Sequence, residues 1–172
     1  MVKLLTFAST TNDSVINYQF LGEYECRLDA KGRLKLPAAI VRRLGGDVNL
    51  KFTVNRGFEK HLMLYPNDVW EQKTKEINQL NIYSTQERQV IRYFYRGATE
   101  VEMDSVERIN LPASLLAYAE IEQDVILSAY QNHIEIWSKQ KYQQMLEDEP
   151  EDFASIADLI VKKGEGDSGF KS

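Results

Sequence analysis

Arg27, Lys31, Arg33, Lys35, Arg42 and Arg43 fall within seventeen residues, against the single carboxylate Asp29. The chain as a whole carries a formal net charge of −5, so this cluster is local and not a reflection of composition. Side chains of this kind grip phosphate: lysine as a point charge, arginine through a planar fork of donors. Lysines and most arginines would hold a duplex backbone, and one or two arginines can pair with guanine edges for ~1–3 kcal/mol of discrimination each. Arg33, within "LDAKGRLKLPAAIVRRL" and expected at the tip of a two-stranded ribbon, is the first choice for base readout.

Other residues of the stretch read as structural. Asp29 can accept hydrogen bonds from turn amides and pair with the guanidinium of Arg33 four residues on. Gly32 frees the turn for positive φ. Pro37 suits the first position of a helix, where its missing N–H costs nothing. No phosphate-cradling glycine loop, metal-ligand cluster or Ser/Cys nucleophile with an evident base is present, so catalysis, a cofactor and a metal are all unexpected. His61 and His133 read as structural or surface residues, and the acids of "EDEPED" as solvated charge in a linker.

The stretch has a diverged twin. "GEYECRLDAKGRLKLPA" (Gly22 to Ala38) aligns without gaps on "GATEVEMDSVERINLPA" (Gly97 to Ala113). "HLMLYP" from His61 answers "HIEIWS" from His133, after a loop three residues shorter. Two copies of one unit explain this. In the second, Asp104, Arg108 and Pro112 repeat the structural residues. Glu107 stands where the first copy has Gly32, which predicts a different turn geometry. The window Glu102 to Tyr118 sets Arg108 against Glu102, Asp104 and Glu107. A purely structural motif has no need of such asymmetry between copies, whereas a phosphate-facing surface does.

The elements that must position these residues follow from periodicity. Tyr24, Cys26 and Leu28 alternate with charged residues, and Leu34 and Leu36 resume the alternation after the turn. Thr99, Val101, Met103, Ile109 and Leu111 repeat that face. Arg27, Arg33 and Lys35 then project together from a two-stranded ribbon, a shape that fits the major groove. "NLKFTVN" with "HLMLYP", and "DVILSAY" with "HIEIWS", make further strand pairs. Each unit is strand, turn, strand, short helix, strand, strand.

Helices fill the rest. Val69, Trp70, Ile77 and Leu80 share a face after Asn67 or Asp68 as cap. Ser84 and Glu87 have capping-box spacing ahead of Val90, Ile91 and Phe94, which are expected inward. "KYQQMLEDEP" is helical, and Phe153, Ile156, Ala157 and Ile160 sit at helical spacing before a loose tail, "GEGDSGFKS". This terminal amphipathic helix suits a partner protein or a neighbouring subunit.

At 172 residues the chain can bury a sizeable core. No apolar run reaches the ~18–20 residues of a membrane span, and "MVKLLTFA" is too short for a secretory signal. The single cysteine, Cys26, forms no internal disulfide and fits a reducing cytoplasm as a small core residue. The acidic balance excludes a generic nucleic-acid coat protein.

Asp-x-x-x-Arg followed by Leu-Pro-Ala, present twice and separated by a helical pair, resembles the MraZ family of bacterial regulators over roughly Gly22 to Glu147. The resemblance implies a mixed α+β fold of two tandem AbrB-like swapped-hairpin units, intertwined within one chain about a pseudo-two-fold axis. It implies a transcriptional regulator in the cytoplasm, at the nucleoid, tied to the division and cell-wall gene cluster. Its partners would be double-stranded DNA with direct repeats and further copies of itself in a ring-shaped homo-oligomer, with no membrane. The family pattern starts near Gly22, so the organisation expected is an extension over 1–21, the first repeat with its helix over 22–80, a connecting helix over 81–96, the second repeat over 97–148, and a terminal helix and tail over 149–172. A protein-binding scaffold or antitoxin-like module without DNA binding is the alternative.

Overall fold

In the computed structural model, residues 16–46, 49–148 and 152–166 are described. They form two compact units, one up to Lys139 and one from Gln140. The first holds strands β1 (Phe20–Arg27), β2 (Arg33–Lys35), β3 (Lys51–Arg56), β4 (Leu62–Pro66), β5 (Thr99–Glu102), β6 (Arg108–Asn110), β7 (Asp124–Gln131) and β8 (His133–Ser138). Its helices are α1 (Ala38–Arg43), α2 (Asn67–Ile77), α3 (Thr85–Phe94) and α4 (Ala113–Tyr118). Beyond β8 come α5 (Lys139–Glu147) and α6 (Phe153–Gly166).

The two repeats do not fold side by side. Six strands run in the order β1-β7-β8-β4-β3-β5, and β2 pairs with β6 in a separate ribbon. Each unit's opening strand pairs with the third strand of the other, β1 with β7 and β5 with β3, all antiparallel. Exchanging the repeats maps the sheet order onto itself, which is the swapped, pseudo-two-fold arrangement of a tandem AbrB-like fold. Its core is contributed by both copies in equivalent places: Leu34 with Ile109, Leu36 with Leu111, and Ile40 with Leu115, each 3 % exposed or less.

The ribbon therefore differs from the expected one. Leu34 faces Ile109 and Lys35 faces Arg108 across the β2–β6 ladder, whereas β1 lies in the large sheet. Alternation gives a strand's parity but not its neighbour, and here the neighbour comes from the other repeat. Thr99, expected on the apolar face, is exposed.

Both prolines act one position earlier than expected. Pro37 and Pro112 are N-caps in extended conformation (ψ 140° and 135°), with the helices starting at Ala38 and Ala113. Likewise Pro66, rather than Asn67 or Asp68, caps α2. Ser84 does cap α3, its hydroxyl accepting from the Glu87 N–H at 3.4 Å, while the Glu87 carboxylate reaches Asn81 N–H instead of Ser84. Val90 is 51 % exposed and no α3 residue is fully buried, contrary to the inward face expected. That helix packs through Phe94, which stacks on Trp70 at 5.2 Å.

Of the extension, residues 16–21 join the body. The Asn132 side chain accepts from Tyr18 N–H at 2.7 Å and donates to the Ile16 carbonyl at 3.0 Å, and Tyr18 stacks on Phe20. The expectation for 1–15 lies outside the described residues, as do the last six residues of the tail; Gly164 to Gly166 continue α6.

Candidate nucleic-acid interface

The turn between β1 and β2 is built by one carboxylate. Asp29 Oδ1 accepts from the N–H groups of Lys31 and Arg33, both at 2.9 Å, and Oδ2 from Arg33 Nε at 2.6 Å. The Arg33 N–H, foremost, with its guanidinium and the Lys31 N–H, holds the Asp29 carboxyl below the usual carboxylate range. Backbone bonds close the loop: Asp29 N–H to Arg33 O and Gly32 N–H to Asp29 O, each 3.0 Å.

The second turn repeats this bond for bond. Asp104 Oδ1 accepts from Val106 and Arg108 N–H at 3.0 and 2.9 Å, and Oδ2 from Arg108 Nε at 2.9 Å. Burial pushes the Asp104 carboxyl up, but these donors outweigh it and the net shift is downward. The expected difference in geometry is absent. Glu107 adopts φ +65° where Gly32 has φ +76°. The reason is the ladder itself: Glu107 O accepts from Leu36 N–H at 2.9 Å and Gly32 O from Leu111 N–H at 3.1 Å, so both turns are held by the opposite repeat. Left-handed φ costs a residue with a Cβ about 1–2 kcal/mol, which the fold imposes on Glu107.

The cations divide around this frame. Lys31 and Lys35 are exposed, and Lys35 stands across the ladder from Arg108, with Arg33 across from Asn110. Arg33 and Arg108 are alike, their side chains 30 and 31 % exposed and each tied to its own aspartate. Arg27 is more open, at 67 %, but donates to the Gln123 side chain at 2.5 Å and lies 3.9 Å from Asp124. Arg27 and Lys35 line one surface cleft of about 590 Å³ that also holds Glu23 and Glu25. Arg42 and Arg43, in the last turn of α1, line another of about 450 Å³ with Phe20, Leu21, Tyr24, Ala39 and Ile40. Arg27, Arg33 and Lys35 thus do not share one ribbon. The surface that does is formed by Arg33, Lys35, Arg108 and Asn110. Sequence reasoning left Arg108 and Asn110 off that surface. The identical turn spacing in both copies was the signal that could have placed them there.

No group of three or more His, Cys, Asp or Glu suited to a metal occurs among the described residues. Burial lowers the proton affinity of both histidines. His61 is 5 % exposed, stacks on Trp137 at 4.3 Å, and fills the space above Gly57, where a Cβ would come within 2.3 Å of Nε2. Burial also raises the Cys26 thiol, as fits a packing residue. No described helix is long and apolar enough to cross a membrane.

Comparison with known proteins agrees with the doubled architecture. The family model for MraZ protein, whose description adds an antitoxin-like character, matches twice, over residues 19–93 and 94–162. A protein of Christiangramia forsetii named transcriptional regulator MraZ is 39 % identical over 142 residues, 82 % of this chain and 92 % of its own length. One of the same name from Halothermothrix orenii is 36 % identical over 145 residues, 84 % of this chain and 99 % of the other. A third, from Cytophaga hutchinsonii, is 37 % identical over 142 residues, 83 % and 94 % of the two chains.

Proposed function

The chain belongs to the MraZ family, and from that premise we propose that it is a transcription regulator whose first-repeat cations bind double-stranded DNA carrying direct repeats. Its relatives are named as regulators of transcription, not as enzymes. The observation that carries the reading is the asymmetry of two geometrically equal turns. Each binds its own arginine through the equivalent aspartate, Asp29 or Asp104, yet only the first adds Lys31 and Lys35, both exposed. The fold has no use for them, since Val106 and Asn110 occupy the same places in the second repeat.

Roles follow from this geometry. Lys31 and Lys35 grip phosphate, with Arg42 and Arg43 as outlying contacts and Arg27 muted by Asp124. Arg33 is oriented by Asp29 through Nε, a restraint that steadies a guanidinium aimed at guanine. One such surface makes four or five phosphate contacts and binds weakly at physiological salt, ~10⁻⁴ M. Several copies in a ring, facing repeats of matching spacing, gain on the order of 10²–10⁴ through effective concentration. The acidic remainder keeps single copies from sticking to arbitrary DNA. The division and cell-wall gene cluster is the proposed target and the nucleoid the proposed location.

The test is selection of duplexes from a randomised pool, then fluorescence anisotropy of the selected DNA with the full chain and with Lys31→Ala/Lys35→Ala. Selective binding that collapses in the variant, at unchanged melting temperature, supports the reading. Failure to select any sequence, or equal affinity of the variant, contradicts it and favours a protein-binding module.

A further inference from the structure

Away from the cationic turn, an apolar surface lies open around the β3–β4 loop and α3. Phe58 is 84 % exposed and stacks on Tyr93, itself 47 % exposed, at 6.0 Å. Val90, three residues before Tyr93, extends the strip along one helical face, with Ile82 and Tyr83 ahead of the helix also exposed. Cations border it. The Arg96 guanidinium covers the Tyr93 ring at 4.3 Å, and Arg56 and Lys60 lie 4.8 and 4.7 Å from the centre of the Tyr118 ring. The Tyr118 hydroxyl locks the loop by donating to Gly57 O at 2.9 Å. None of these three cations has a carboxylate within 4 Å among the described residues. The Nε atoms of Arg56 and Arg96 are buried without an acceptor.

Helix α6 has the opposite character. Phe153, Ile156, Leu159 and Ile160 form a stripe at three- and four-residue spacing and are 43–66 % exposed. Three exposed carboxylates, Glu147, Asp148 and Asp152, precede it. One surface is apolar with a cationic border; the other is an apolar helix led by acids.

We infer that α6 of one copy docks on the Phe58–Val90–Tyr93 face of a second copy, its acidic leading end set against Arg56, Lys60 and Arg96. This is the helix-in-groove mode of recognition, with charge fixing the direction of the helix. The two patches differ, so the contact is heterologous: each copy gives one and receives one, and a repeated contact closes into a ring when its rotation allows. The inference rests on the self-association within the proposed function and is independent of DNA contact.

Mass photometry of the full chain, alone and as Phe58→Asp or Ile160→Asp, tests it. Both side chains are exposed, and circular dichroism checks that the fold persists. Each substitution is expected to raise the self-dissociation constant about tenfold or more. Mixing Phe58→Cys with Ile160→Cys chains under oxidation is expected to give a linked pair holding one of each. An assembled native protein whose size neither aspartate alters, or a cysteine mixture with no mixed pair, overturns the inference and leaves self-association standing. A native chain that stays single at every concentration overturns both.

Discussion

Glu107 is one of several non-glycine residues that the fold holds at left-handed φ. It holds φ +65° because the ribbon requires it, where the first repeat supplies glycine. Glu107→Gly is expected to stabilise the protein by up to about 1 kcal/mol, and Gly32→Ala to destabilise it by a similar amount, as read by the denaturation midpoint. The Asp29 and Asp104 carboxyls are held below their ordinary value of 3.8, so their stabilisation is complete above it and disappears as pH falls through their folded values. Asp29→Ala and Asp104→Ala should therefore both lower Tm at neutral pH and both flatten the acid limb. His61 is shifted down by burial, so protonation opposes folding and stability declines as pH falls below about 6.5. His61→Phe should make that decline shallower. The Asp-x-x-x-Arg turn was legible because all its partners lie within five residues. The strain at Glu107 was not, because a Gly-to-Glu change reads as a change of turn unless the opposite strand is known.

Among the elements, the β2–β6 ribbon is the part least visible in the sequence. Leu34 and Ile109 are fully buried and face each other across it. Leu34→Ala and Ile109→Ala should each cost about 2–5 kcal/mol, and a double-mutant cycle should return a coupling of about 0.5–3 kcal/mol. A coupling near zero would contradict the pairing of the two repeats. Strand parity correctly put Leu34 inside and Lys35 outside, since alternation is a local property. The choice of partner strand is a long-range matter of burying two equivalent faces against each other. Helix α3 differs from its expected inward face for a related reason: its spacing is amphipathic, but it packs through Phe94 on Trp70 and Tyr93 on Phe58, and Val90 faces outward.

At the scale of the whole molecule, the internal repeat was the most informative feature of the sequence. Matching "DAKGR" to "DSVER" gives two copies of one unit, the resemblance to the MraZ family implies that they interlock, and the sheet order β1-β7-β8-β4-β3-β5 maps onto itself when they are exchanged. Net charge bears on the proposed binding as position does: an acidic body with a basic surface on the first repeat is suited to binding through number and spacing rather than through the strength of any single contact. The measurement that tests this most directly is a salt titration of affinity for selected duplexes bearing one repeat, several repeats in natural phase, or the same repeats shifted by half a helical turn. The account predicts a steep fall of affinity with salt, a gain of about 10²–10⁴ for phased repeats over one, and loss of that gain on shifting. Equal affinity for all three duplexes, or binding indifferent to salt, would contradict it.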